Sequence, residues 1–258
     1  MMRAFCLSLV ALPILCWGQG PRSGESQVNK LPEELAAKTI SLNPEYVVLE
    51  IKGKAAEEKL PLLIYLHGAG GIGSDVGKIK RQAEGPARTL RQAGIATLVV
   101  APQATKNPMR EGAGGGWVVA DLDLLLEHLK ATLPVDERRI YLTGNSMGGY
   151  GTIMWAGNRP QHFAAIAPMV GGLGPGGPKD VTKDLQLWGK NLAGIPMRAY
   201  YGANDKVVPP DRGTMLRQAI DAAGGTKAEI ITRDAGHNAG QAIHSDPAFF
   251  KWLFSNAK

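Results

Sequence analysis

Arg139-Ile-Tyr-Leu-Thr-Gly-Asn-Ser-Met-Gly-Gly-Tyr-Gly151 decides how this chain folds. Its first part, residues 139–143, is short and rich in β-branched and aromatic side chains, which suits a strand. Its second part, from Met147 to residue 158, reads as a helix. Between them Gly144-Asn145-Ser146-Met147-Gly148 places a serine on the turn. With 33 glycines in 258 residues the G-x-S-x-G spacing is weak as a bare pattern. Its position between a strand and a helix gives it weight. A serine on so tight a turn sits in strained backbone, so the positions two away from it must lack bulk, and both are glycine. The helix that follows aims its first N–H groups at any negative charge developing beside the serine.

Working outward, short apolar or β-branched runs alternate with longer amphipathic ones. Strands are expected over residues 46–51, 62–66, 95–101, 139–143, 164–167, 197–201 and 228–232. Helices are expected over 77–92, 118–132, 147–158, 180–191, 210–223 and 247–255. Several strand runs are apolar almost throughout, as strands covered on both faces are. In the 118–132 helix Leu122, Leu125, Leu126 and Leu129 fall at helical spacing, with Asp121, Glu127 and Lys130 between them. This alternation predicts an α/β fold, a mostly parallel central sheet with helices on both faces. Ligands bind such sheets beyond the carboxyl ends of the strands, so chemistry is expected just after strand ends. The glycine-rich stretches 112–116 and 171–177 read as long loops. Residues 171–191 form the only sizeable insertion near Ser146, which leaves room for little or no lid.

A serine hydroxyl is a weak nucleophile until a base takes its proton and a third group orients that base. The base belongs after the last strand, where Arg233-Asp-Ala-Gly-His-Asn238 supplies His237; His244, seven residues on, is the rival. The orienting carboxylate belongs between serine and histidine. Asp205, in Tyr201-Gly-Ala-Asn-Asp-Lys206, follows a strand and is preferred to Asp211, a helix-start residue, and to Asp234, which crowds the histidine. Two backbone N–H groups are needed for an oxyanion. Met147 supplies one, and Ala69 in His67-Gly-Ala-Gly-Gly71 supplies the other, with Gly70 as the alternative. Trp117 and Gln103, near a strand exit, are expected to line a substrate pocket.

The same loop carries Gly68-x-Gly70-x-x-Gly73, the spacing of a dinucleotide fingerprint. That motif requires a carboxylate near the end of the next strand, which here reads Val99-Val-Ala-Pro-Gln103, so no cofactor is expected. No H-e-x-x-H arrangement or comparable ligand set occurs, and no metal is expected.

Hydrophobic residues make up 44% and charged residues 20% of the chain, an ordinary globular balance. The net charge of +6 is scattered, with no basic block, and no nucleic-acid partner is expected. Arg3, the apolar run of residues 5–16 and the small residues at 18–20 read as a signal peptide over residues 1–18. Residues 19–40 then read as a polar leader or linker, and 41–258 as the catalytic domain. Both cysteines, Cys6 and Cys16, fall in the segment expected to be removed. The mature chain would carry no disulfide and no membrane span, and would be exported to the periplasm or the medium.

Together with Leu66-His-Gly-Ala-Gly-Gly-Ile-Gly73, Ala101-Pro-Gln103, Trp117 and Phe163-Ala-Ala-Ile-Ala-Pro168, the stretch Asp136–Gly151 resembles the bacterial α/β-hydrolases over roughly residues 45–258. Most similar are the secreted serine esterases related to polyhydroxybutyrate depolymerases and feruloyl esterases, and the phospholipase/carboxylesterase group. The dienelactone-hydrolase and prolyl-oligopeptidase groups share the core motifs. The resemblance implies Ser146 as nucleophile, His237 as base and Asp205 as acid, acting on a small-molecule or polymer-borne ester. Dienelactone hydrolases proper use a cysteine where this chain has Ser146. The alternatives are a prolyl-oligopeptidase-like peptidase and a non-catalytic binding protein on the same fold.

Overall fold

Residues 26–53, 57–105, 116–240 and 242–258 are described by the computed structural model. The expected signal peptide with its two cysteines, and most of the 112–116 loop, lie outside them. Strands and helices follow one another as β1 (Ser26–Lys30), α1 (Glu33–Ala36), β2 (Leu42–Ile51), β3 (Leu60–Leu66), α2 (Val76–Ala93), β4 (Thr97–Ala104), α3 (Val119–Thr132) and β5 (Val135–Asn145). Then come α4 (Met147–Asn158), β6 (Ala165–Met169), α5 (Leu185–Leu192), β7 (Met197–Gly202), α6 (Asp211–Ala222), β8 (Ala228–Arg233) and α7 (Pro247–Phe254).

The eight strands form one sheet in the order β1-β2-β4-β3-β5-β6-β7-β8. β1 and β2 run antiparallel to their neighbours, and β4-β3-β5-β6-β7-β8 are parallel. Strand alternation divides the core in two. Leu62, Ile64 and Leu66 of β3 face the layer of α3, α4, α5 and α6, whereas Leu63 and Tyr65 face α2 and α7. Every residue of β3 is buried, which explains its unbroken apolar run. The chain leaves β3 for β4 on one side and returns to β5 on the other. The crevice beyond β3 and β5 is therefore the switch point where a ligand can enter.

Several element bounds differ from the sequence expectation, β5 for example beginning at Val135, and three differences have a plain physical reason. The leader expected over 19–40 is not free from Ser26 onward, because β1 pairs residue by residue with β2 and Leu31 is buried. Its residues are polar and Val28 is half exposed, so backbone hydrogen bonds at a sheet edge, not burial, hold it. β2 begins four residues earlier than expected, across an irregularity between Leu42 and Tyr46 that accommodates Pro44. The helix expected from residue 180 begins at Leu185. Thr182 N–H donates to Leu173 O, and Val181 bridges Leu173, so this segment is extended rather than helical. No helix among the described residues is long and apolar enough to cross a membrane.

Candidate active site

Ser146 sits between β5 and α4 with φ 57° and ψ −114°. Such backbone costs a non-glycine residue about 1–3 kcal/mol and persists only where its surroundings over-determine it. They do so here. A Cβ on Gly144 would stand 2.5 Å from Gly148 O, and one on Gly148 would overlap Leu66 O. Ser146 N–H donates to Met169 O at 2.8 Å, fixing the turn to the end of β6. The next residue there, Val170, is also at positive φ (43°), and its N–H donates to Tyr200 O at 2.7 Å. Strain is thus held at two neighbouring strand ends, both at the mouth of the same crevice.

The exits of β7 and β8 bring the expected partners to the serine. His237 Nε2 lies 2.8 Å from Ser146 Oγ, and His237 Nδ1 lies 2.8 Å from Asp205 Oδ2. A carboxylate can only accept, so Nδ1 carries the proton and Nε2 presents its lone pair to the serine hydroxyl. The second carboxylate oxygen, Oδ1, accepts from Val207 N–H at 2.8 Å and Val208 N–H at 3.0 Å. Sequence reading gave no hint of these two donors. They hold the buried Asp205 in one orientation, with its side chain 2% exposed. The rivals are occupied elsewhere: His244 bonds Thr143, Asp211 pairs with Arg212, and Asp234 accepts from Asn204.

A cavity of about 350 Å³ opens on Ser146. Ala69 and Met147 line it, each the first residue of a helical turn whose leading N–H groups have no partner within the turn. Gly70, the alternative donor, lines a different cavity. Gly116, Tyr150, Val207, Val208 and the 172–178 glycine-proline loop supply the rest of the wall, and no charged side chain is among its described lining residues. Arg212, buried beneath, holds that loop by donating to Lys179 O. The 171–191 insertion, the sizeable one expected near Ser146, thus supplies one wall of the cavity.

Trp117 and Gln103 do not reach the cavity. Gln103 is fully buried; its Nε2 donates to Gly71 O at 2.9 Å and Asp75 O at 3.1 Å, and its Oε1 accepts from Asn43 at 2.8 Å. Its role is to tie the start of α2 to β2 and β4. Trp117 packs on the His67 ring, centroids 4.7 Å apart, and against Gly151. His67 is itself enclosed: Ala104 N–H donates to its Nε2 at 2.9 Å, and its Nδ1 lies 2.6 Å from Gly68 O. It is therefore neutral with the proton on Nδ1, and burial lowers its pKa to about 4. Through these two bonds His67 fixes the loop that carries Ala69.

A parallel sheet with a strained serine at a strand-helix turn, followed in chain order by an acid and a histidine, defines an α/β-hydrolase. The family model described as "Putative esterase" matches residues 41–230, and the chain belongs to this esterase family. A "Putative carboxymethylenebutenolidase" of Methylorubrum extorquens is 29% identical over 167 residues, 62% of this chain and 53% of that protein. The chain thus spans about half the length of that relative. "Probable feruloyl esterase C" of Aspergillus terreus is 26% identical over 216 residues, 78% of this chain and 69% of that protein. Among solved structures, a thermostable esterase superposes with a TM-score of 0.67 at 25% identity, over 91% of this chain and 63% of that one. An S-formylglutathione hydrolase from Agrobacterium tumefaciens, 18% identical, shares the fold with a TM-score of 0.60 over 90% and 95% of the two chains.

Proposed function

We propose that this protein hydrolyses carboxylic esters through an acyl-enzyme on Ser146. The observation that carries the reading is the unbroken hydrogen-bonded line from Ser146 Oγ through His237 to Asp205, 2.8 Å at each step. His237 Nε2 takes the hydroxyl proton as Oγ bonds to the ester carbon, and the carbonyl oxygen becomes an oxyanion held by the N–H groups of Ala69 and Met147. The intermediate collapses by expelling the alcohol, which leaves with the proton from His237. Water then gives a proton to His237 and adds to the acyl carbon, and the second intermediate collapses by breaking its bond to Ser146 Oγ, which takes the proton back from His237 as the acid leaves. Asp205 keeps the imidazole in the required tautomer and favours its cationic form.

A fluorophosphonate probe tests this directly. The wild-type protein is expected to become labelled at Ser146 and Ser146→Ala to remain unlabelled; equal labelling of the two would sink the reading. A matched set of esters and peptide amides separates esterase from peptidase, with ester turnover expected to dominate. Export is proposed on the leading segment alone. N-terminal sequencing of protein recovered outside the cytoplasm is expected to begin at Gln19, and a chain retaining Met1 there would refute the cleavage.

A further inference from the structure

The loop of residues 172–182, which follows β6 and walls the Ser146 cavity, folds back on itself. Thr182 N–H donates to Leu173 O at 2.8 Å, and Asp180 N–H donates to Gly177 O at 3.2 Å. A Cβ on Gly172 would stand 3.1 Å from Pro178 Cα, and one on Gly174 would overlap Asp180. The loop is therefore a closed unit packed by its own residues. Among the described residues, one hydrogen bond reaches residues 174–181 from outside the loop. It runs from Arg212 Nη2 to Lys179 O.

Arg212 stands in the first turn of α6, directly after the connection that carries Asp205, and its own N–H donates to Pro209 O at 3.1 Å. Val207 and Val208 of that connection line the same cavity. One side chain thus joins the wall beside the acid to the wall made by the loop. Arg212 is 7% exposed; its Nη1 donates to Asp211 Oδ1 at 2.7 Å, and its Nε is buried without a partner. A buried guanidinium with a donor left unmet costs free energy that an apolar side chain of similar volume would not. Packing alone therefore does not account for an arginine here, whereas the carbonyl it holds does. The loop lines the cavity with Gly172, Gly174, Pro175, Gly176, Gly177 and Pro178. Most of these have no side chain, so the width of the cavity on this side depends on where the backbone lies.

We propose that Arg212 sets acyl specificity: by holding Lys179 O it keeps the loop where the cavity admits short, neutral acyl groups and turns away long ones. This rests on the esterase reading above. The cavity takes the acyl half because Ser146, Met147 and Ala69 line it, whereas His237, toward which the alcohol must leave, is not among its described lining residues. Its volume of about 350 Å³ lies near the lower end for ligand sites, and its lack of charged lining residues disfavours an ionised acyl group. Arg212 touches no reacting atom and acts as a positioning residue.

Arg212→Met keeps the apolar stem and removes the donor, and it strands no buried charge because the Asp211 side chain is 63% exposed. The p-nitrophenyl esters of butyrate and decanoate are compared. Each methylene that a widened cavity buries is worth about fourfold, so Arg212→Met is expected to raise the decanoate-to-butyrate ratio of kcat/KM at least about tenfold, mainly through KM of the decanoate. General loss of folded protein would lower both esters equally and leave that ratio unchanged. Decyl butyrate, long on the alcohol side, is expected to gain less than about twofold over methyl butyrate. A gain there equal to that of the decanoate overturns the acyl assignment. Trypsin gives a readout independent of turnover. Lys179 is exposed, and the carbonyl that trypsin must attack is the one that Arg212 holds. Cleavage after Lys179 is expected to be at least about tenfold faster in Arg212→Met, with other sites cut no faster. Unchanged cleavage overturns the proposal, and so does faster cleavage with an unchanged acyl ratio. If Arg212→Met does not fold, Arg212→Lys, with a shorter and simpler donor, carries the same test with shifts of at least about threefold. A wild-type protein that hydrolyses neither ester counts against the esterase reading instead. Rates of Ser146 labelling by ethyl and decyl fluorophosphonates then supply the ratio, and no labelling by either overturns both readings.

Discussion

Replacing Ser146 by alanine is expected to lower kcat for ester hydrolysis by about 10⁶-fold, and replacing Asp205 by asparagine by about 10⁴-fold, the losses that triads of this kind show. The asparagine case is the more informative, because its effect follows from tautomers and not from a missing atom. Val207 and Val208 N–H groups donate to Asp205 Oδ1, so the amide oxygen of an asparagine must take that place. Its NH₂ then faces His237 Nδ1, now 2.8 Å from a donor where a carboxylate had accepted. The imidazole is forced to carry its proton on Nε2, where it can no longer accept one from Ser146. The change is about 5 kcal/mol in the barrier with the backbone contacts of residue 205 kept. Urea unfolding midpoints should accordingly stay close to wild type while turnover collapses. A drop of less than tenfold in Asp205→Asn would show that His237 is oriented by something else.

Much of this site was legible because its residues obey local rules. Gly144 and Gly148 mark a turn that excludes side chains, and their clashes with Leu66 and with one another are the reason. Asp205 and His237 were found by their positions after strands, since in a parallel sheet every such exit opens on the same crevice. What could not be read depends on contacts remote in sequence. β1 has no apolar periodicity, because an edge strand is held by backbone pairing with β2. Gln103 has the look of a pocket residue at a strand exit, but its direction is set by Asn43, 60 residues away, and by the carbonyls at the start of α2. The Val207 and Val208 donors are backbone groups, which carry no mark in a sequence. His244 has the loop position of a rival base; only the packing of Tyr65, Phe249 and Phe250 around it shows that it is enclosed.

That enclosure, shared with His67, sets the second large effect: the protein is expected to lose roughly 6 kcal/mol of stability as pH falls from 7 to 4. Burial lowers the pKa of both rings from 6.5 to about 4. An unfolded chain therefore binds protons on both histidines between those values while the folded chain does not. Stability is fully present above 6.5, is lost as pH falls through the interval, and levels off below about 4. A displacement of about 2.5 pH units at 1.36 kcal/mol per unit gives about 3 kcal/mol for each ring. The buried fractions of His128 and His162 shift them in the same direction and add to the loss. Asp136, whose carboxyl is held below its usual value, acts only at lower pH, so the window belongs to histidine. Set against a total of about 5–15 kcal/mol for a domain, the loss is enough to unfold a marginal one. Denaturant titrations at pH 7, 6, 5 and 4.5 measure it, and stability that stays level across them would disprove the neutral, buried assignment. His67→Gln and His244→Gln each remove one of the two strongly shifted rings, so each is expected to lower the slope by somewhat less than half, His128 and His162 keeping their share, whatever it does to stability at pH 7. At His67 the consequence reaches the chemistry. A proton on Nε2 would face Ala104 N–H, donor against donor, at the bond that holds the Ala69 loop in place. The acid transition therefore also loosens the Ala69 loop, which in the proposed mechanism holds the oxyanion.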